Sequence, residues 1–139
     1  MNPCTNTYIL NQFILPKVFC KKCEQALTEE LTIIDTAYLY QRVDVRGDLP
    51  YDFIPSGKIY YNTGKIAKNH KDTWLSGLRS EYQIKNHTDT SRLTINCCYL
   101  DGSAGINAMC NNSHEVATRI GDCFMYNYIA WDPEKTELK

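Results

Sequence analysis

The sequence predicts an α+β fold, a single domain with a mostly antiparallel sheet of four to five strands and two or three helices. Three observations lead there. Apolar and polar residues alternate over Ala37–Val45 and again over Arg92–Tyr99, the period of a half-buried strand. Cys23, Leu27, Leu31 and Ile34 instead share one helical face, as amphipathic helices require. Asn62-Thr63-Gly64 separates two short apolar runs, Ile59-Tyr60-Tyr61 and Lys65-Ile66-Ala67, as in a hairpin whose glycine supplies a positive φ.

Taken in order, Tyr8–Phe19 reads as an extended segment, and Pro16 restricts it to an edge strand. A helix follows from Cys23, with Glu24, Glu29 and Glu30 on its outer side. The strand over Ala37–Val45 ends at Arg46-Gly47-Asp48 and Pro50. After the hairpin, Asp72 or Thr73 can cap a short helix with Trp74, Leu75, Leu78 and Tyr82 inward. Gly77 weakens that helix by about 1 kcal/mol relative to alanine, so packing must hold it. Leu93, Ile95, Cys97 and Tyr99 form the inner face of the next strand, and Asp101–Gly105 is a loop. Ser113 to about Ile120 reads as helical. Cys123–Trp131 is so apolar that helix and strand have the same signature. The domain is expected to span 1–132, with a frayed tail over 133–139.

At 139 residues the chain is long enough to own a core without disulfides or metal. Composition is that of an ordinary globule: 43% hydrophobic, 22% charged, net charge -1. No run of apolar residues is long enough to span a membrane. The N-terminus lacks a basic start followed by an apolar stretch, so no secretory signal is expected. The seven cysteines, an odd number, then point to reduced thiols and a cytoplasmic setting. Asn86-His87-Thr88 and Asn111-Asn112-Ser113 match the glycosylation pattern, which has no consequence inside a cell.

Cys20-Lys21-Lys22-Cys23 carries the strongest chemical signal. Two thiols at this spacing suit either metal or redox chemistry. A helix start and two lysines would favour thiolate, while Glu24 opposes it. Zinc needs two further donors. Cys110 and His114 are four residues apart, which would place both on one face of a helical turn. The predicted structural zinc site is therefore Cys20, Cys23, Cys110 and His114. Cys97 and Cys98 cannot readily share an ion, because adjacent strand residues face opposite ways. Cys97 is expected in the core and Cys98 outside it, where it is the better ligand.

The order of elements resembles the thioredoxin family over residues 12 to 82: a strand, Cys20-Lys21-Lys22-Cys23 opening a helix, then Ile54-Pro55 before a hairpin. That resemblance implies a thiol-disulfide oxidoreductase, with Cys20 as nucleophile, Cys23 as resolving thiol and Pro55 as a cis-proline. The family's aromatic-Cys-Gly-Pro-Cys sequence is not present.

Charge suggests a different class of function. Residues 24 to 56 hold seven acids against two arginines, a net of −5; residues 57 to 92 hold seven bases against three acids, a net of +4. Lys58, Lys65, Lys68, Lys71, Lys85 and Arg92 could contact nucleic acid phosphates or an acidic protein surface, with Tyr60, Tyr61 or Trp74 stacking on bases. The opposed halves also permit self-association. Gly102-Ser103-Ala104-Gly105 lacks the Lys-Ser/Thr ending of a phosphate loop. The first expectation is a small intracellular binding module, zinc-stabilised, and not an enzyme. The alternatives are the oxidoreductase and a cofactor-free structural or inhibitory accessory protein.

Overall fold

A computed structural model describes residues 15–78, 82–97, 99–121 and 126–139. The fold is mostly β, which corrects the predicted α+β class. Among the described residues nine strands form two sheets: β1 (Val18–Cys20), β2 (Thr32–Ile34), β3 (Lys58–Asn62), β4 (Thr73–Ser76), β5 (Ile84–Asn86), β6 (Ala108–Cys110), β7 (Glu115–Ile120), β8 (Tyr128–Trp131) and β9 (Thr136–Leu138). One α-helix, α1 (Thr36–Tyr40), lies between β2 and β3. The large sheet has the order β2-β3-β4-β8-β7-β6-β5, and β1 pairs with β9 in a separate small sheet. All pairings are antiparallel except β2 with β3.

The centre of the large sheet is buried on both faces. Along β8, Ile129 and Trp131 join a core cluster with Val18, Cys20, Leu27 and Leu31, on the side of the small sheet. Tyr128 and Ala130 join a second cluster with Leu39 of α1, Phe53 and Ile54, on the other side. A strand packed on both faces is continuously apolar, so the sequence showed no period there.

The helical spacing of Cys23, Leu27, Leu31 and Ile34 was misleading. Leu27 and Leu31 are fully buried, but in extended chain. The Leu27 amide donates to the Val18 carbonyl at 2.7 Å, and the Cys20 amide donates to the Gln25 carbonyl at 2.9 Å. The chain thus folds back along β1, through Glu24 at φ 59. Where a strand was expected from Ala37, Asp35 instead caps α1 by accepting from the Tyr38 amide at 2.9 Å. Asp44 then accepts from the amides of Arg46 and Asp48, which turns the chain and leaves Val45 fully exposed.

Other expectations are corrected in the same way. Ile59-Tyr60-Tyr61 is a strand, but its partner is β4 across the 63–72 loop, not Lys65-Ile66-Ala67. The helix expected from Asp72 is β4, and the one expected from Ser113 is β7, rich in β-branched Val116, Thr118 and Ile120. Among the described residues of 92–99 no strand forms; Thr90–Arg92 is a 3-10 turn capped by Asp89, and Ile95 makes an isolated bridge to Leu100. Residues expected to fray after Pro133 include β9, whose Thr136 pairs with Cys20. The expected Tyr8–Phe19 segment before residue 15 lies outside the described residues, as do Cys4, Cys98 and Cys123.

Candidate metal centre

Two turns meet at one end of the molecule. The first, Cys20–Cys23, leaves β1 and returns along it. The second, Cys110–His114, joins β6 to β7, with Ser113 at φ 64. It is closed by the Cys110 amide donating to the His114 carbonyl at 2.8 Å and the Ser113 amide donating to the Cys110 carbonyl at 2.9 Å. Gln25 ties the turns together by accepting from the Asn111 amide at 3.1 Å.

This arrangement brings Cys20, Cys23, Cys110 and His114 together, with their donor atoms all within 4.8 Å of one another. The His114 Nδ1 lies 3.7 Å from the Cys20 Sγ and 3.5 Å from the Cys110 Sγ. The Cys23 and Cys110 sulfurs are 3.8 Å apart. A tetrahedral ion with metal–sulfur bonds of about 2.3 Å and a metal–nitrogen bond of about 2.0–2.1 Å would separate sulfurs by about 3.8 Å and sulfur from nitrogen by about 3.6 Å. The four residues could therefore hold a metal ion. A disulfide would need sulfurs about 2.05 Å apart, and Cys20, Cys23 and Cys110 are free thiols.

The surroundings treat the thiols differently. Burial pushes the Cys20 thiol up, against the amides of Cys23 and Lys22, which favour its thiolate. Cys23 is partly exposed, and a hydrogen bond from the Asn112 side chain, helped by the Gln25 amide, lowers it to about 6. The Cys110 sulfur accepts from the His114 amide at 3.4 Å. Thiolate is the form that binds metal. Backbone and side-chain donors do here what a helix start was expected to do; no helix follows Cys23, and the lysines are not its leading partners. The supporting roles of Gln25 and Asn112 went unread in the sequence, because they depend on two turns 86 residues apart in the chain meeting.

The rest of the predicted set is dispersed. The peptide bond before Pro55 is trans, contrary to the cis-proline expected there. Cys97 is exposed, not in the core. Tyr60 is only 2% exposed, with its hydroxyl 3.2 Å from the Thr36 hydroxyl, and cannot stack on a base; its neighbour Tyr61 is exposed instead. Lys58 on β3 and Lys85 on β5 are separated by five strand spacings, about 24 Å. Lys85 donates to the Ser113 hydroxyl, and Arg92 pairs with Glu115 at 3.2 Å. Lys65, Lys68 and Lys71 remain together on the 63–72 loop, exposed. Among the described residues none of these three has an ion-pair partner.

That loop is organised by buried Asn62. Its Nδ2 donates to the carbonyls of Ala67 and His70, both at 2.6 Å. Its Oδ1 accepts from the Gly64 amide at 3.1 Å, and Gly64 takes φ 102. Beside the metal centre runs an open cleft of about 630 Å³, lined by Lys21, Lys22 and Lys135 but also by Glu115 and Glu134. Among the described residues no helix is long and apolar enough to cross a membrane. Comparison of the chain with protein-family models, curated proteins and solved structures yields no match.

Proposed function

We propose that this protein is a zinc-stapled β module that binds nucleic acid and is not an enzyme. The observation that carries the reading is the complete donor set. Three sulfurs and one imidazole nitrogen, all within 4.8 Å of one another and with three of their separations near tetrahedral values, would fill a zinc coordination shell, as in structural sites, whereas catalytic zinc keeps one position for water or substrate. The donors come from the small sheet and from the β6–β7 turn, so an ion there would join the two sheets and act on folding.

The binding role rests on Lys65, Lys68 and Lys71. Three exposed ammonium groups on one short loop, each without a carboxylate partner among the described residues, offer charge to a phosphate backbone. Asn62 holds the loop in shape, which reduces the ordering cost of binding. Lys85 and Arg92 fall outside this surface, since both are committed to partners near β5 and β7.

The test is binding of a fluorescently labelled oligonucleotide by anisotropy across a salt series. Three phosphate contacts on a duplex predict a slope of log K against log salt near about −2.7. Each of Lys65→Glu, Lys68→Glu and Lys71→Glu should flatten that slope by about one unit or more. A flat salt response, or variants that bind like the parent, would refute the nucleic-acid reading. Binding to polyglutamate with none to oligonucleotide would transfer the loop to an acidic protein partner.

A further inference from the structure

A second concavity lies away from the metal centre, where β3, β4 and β8 approach the small sheet. Tyr61 is opposite Trp74, and Trp74 opposite Trp131, in successive antiparallel registers. Directly opposed residues present their side chains on the same face, so the three form an aromatic row across the sheet. The rings of Tyr61 and Trp74 meet at 5.0 Å between centroids and 69° between planes, which makes a corner rather than a stack. Trp131 is fixed behind them by its Nε1–H, which donates to the buried Ser76 hydroxyl, and by an edge contact with Tyr82 at 5.7 Å.

Together with Val18, Pro133 and Leu138, these rings line a cavity of about 190 Å³. It is smaller than the roughly 300 Å³ at which pockets begin to hold drug-sized ligands, and suits one inserted side chain. Its charge is one-sided. Asp72 lines it, no lysine or arginine does, and Asp72 has no ion-pair partner among the described residues. Its amide is anchored to the Asn62 carbonyl at 2.7 Å.

Aromatic faces attract a cation through the ring quadrupole, and cages of this composition select methylated ammonium groups, whose charge is spread over an apolar surface. We propose that this pocket binds a methylated lysine side chain of a protein partner. The methylated head meets Tyr61, Trp74 and the Asp72 carboxylate, while the four-carbon stem lies along Val18, Pro133 and Leu138. That aliphatic wall is what favours a lysine over a small quaternary ammonium with a polar stem. The row of negative ring faces and the carboxylate exclude phosphate, so the pocket takes a different ligand from the lysines of the 63–72 loop, which it adjoins through Asp72.

The protein contains two tryptophans, and both line this cavity, so tryptophan fluorescence, excited selectively over the ten tyrosines, reports on it. The probes are a short Gly/Ala peptide with one central trimethyllysine, its unmodified lysine counterpart, its neutral tert-butyl isostere, and choline. The trimethyllysine peptide should give a saturable change in emission. The lysine peptide and the neutral isostere should bind about tenfold more weakly or worse. Asp72→Asn should weaken binding several-fold, and Tyr61→Ala should remove most of it; both positions are exposed, and circular dichroism would verify that each variant is folded. Equal binding of the neutral isostere would overturn cation recognition. Choline binding as tightly as the peptide would overturn the assignment to a lysine side chain. No saturable change with any probe would overturn the site.

Discussion

Replacing Cys23 by serine removes one sulfur from the donor set while leaving the core intact, since Cys23 is partly exposed and the change opens no cavity. Its consequence can be worked from chain connectivity. Cys23 and Cys110 are 87 residues apart, so an ion bound by both closes a long loop. The relation used for covalent cross-links gives about 4–5 kcal/mol at 25 °C for a loop of this length. For a chain of this size each kcal/mol moves the melting temperature by about 3 °C. Loss of the staple should therefore lower the Tm of zinc-loaded protein by about 10–15 °C, and a strong chelator should do the same to the parent. Thermal melts by circular dichroism provide the assay. Hydrogen exchange should rise first in β1, β9 and the β6–β7 turn, the elements that the ion would hold together. Cys97→Ser, exposed and outside the donor set, is the control and should leave the shift in Tm on chelation the same as in the parent. If chelation and Cys23→Ser both leave the Tm within about 3 °C of the parent, the cluster does not staple this fold.

Two further predictions concern the 63–72 loop and its neighbour. Asn62→Ala leaves the Ala67 and His70 carbonyls without their donor. It should lower stability by about 2–4 kcal/mol in urea unfolding and weaken oligonucleotide binding by the disordered loop; unchanged stability would show that Asn62 does not organise it. Burial holds the His70 imidazole below its ordinary 6.5, and its Nδ1 lies 3.0 Å from the Tyr128 hydroxyl. The unfolded chain then takes up this proton first as pH falls. The stability tied to neutral His70 is present above pH 6.5 and lost as pH drops toward the folded value. Urea midpoints between pH 8 and 5.5 should fall more steeply for the parent than for His70→Gln, and parallel curves would contradict this.

The four residues of the cluster, which could hold a metal ion, were legible before the strands that position them. Thiols two residues apart, and a thiol and imidazole four apart, are chemically specific, and the spacing holds for any turn that directs both donors inward. The reason given for Cys110 and His114, a helical turn, was wrong; a β hairpin with Ser113 in the left-handed region presents them together. Secondary structure was harder to read for two physical reasons. Strands buried on both faces, such as β8, lose the alternation that identifies them. Chain folded back along β1 buries Leu27 and Leu31 at a spacing that mimics a helix. The converse error occurred at Arg92–Tyr99, where alternation found no partner strand. There Thr94 bonds to the Asp101 carboxylate, and Ser103 to Thr94, so side-chain bonds shape a loop instead. The basic segment was continuous in sequence but divided by topology, because β3 and β5 stand near opposite edges of the large sheet.

X-ray absorption at the zinc edge, on protein purified without added metal and paired with elemental analysis, bears most directly on the metal centre. One zinc per chain is expected, with three sulfurs at about 2.3 Å and one nitrogen at about 2.0 Å, and Cys110→Ser should retain well under one zinc per chain. A metal-free protein that melts at the same temperature as the zinc-loaded form, or a first shell made of oxygen, would contradict it.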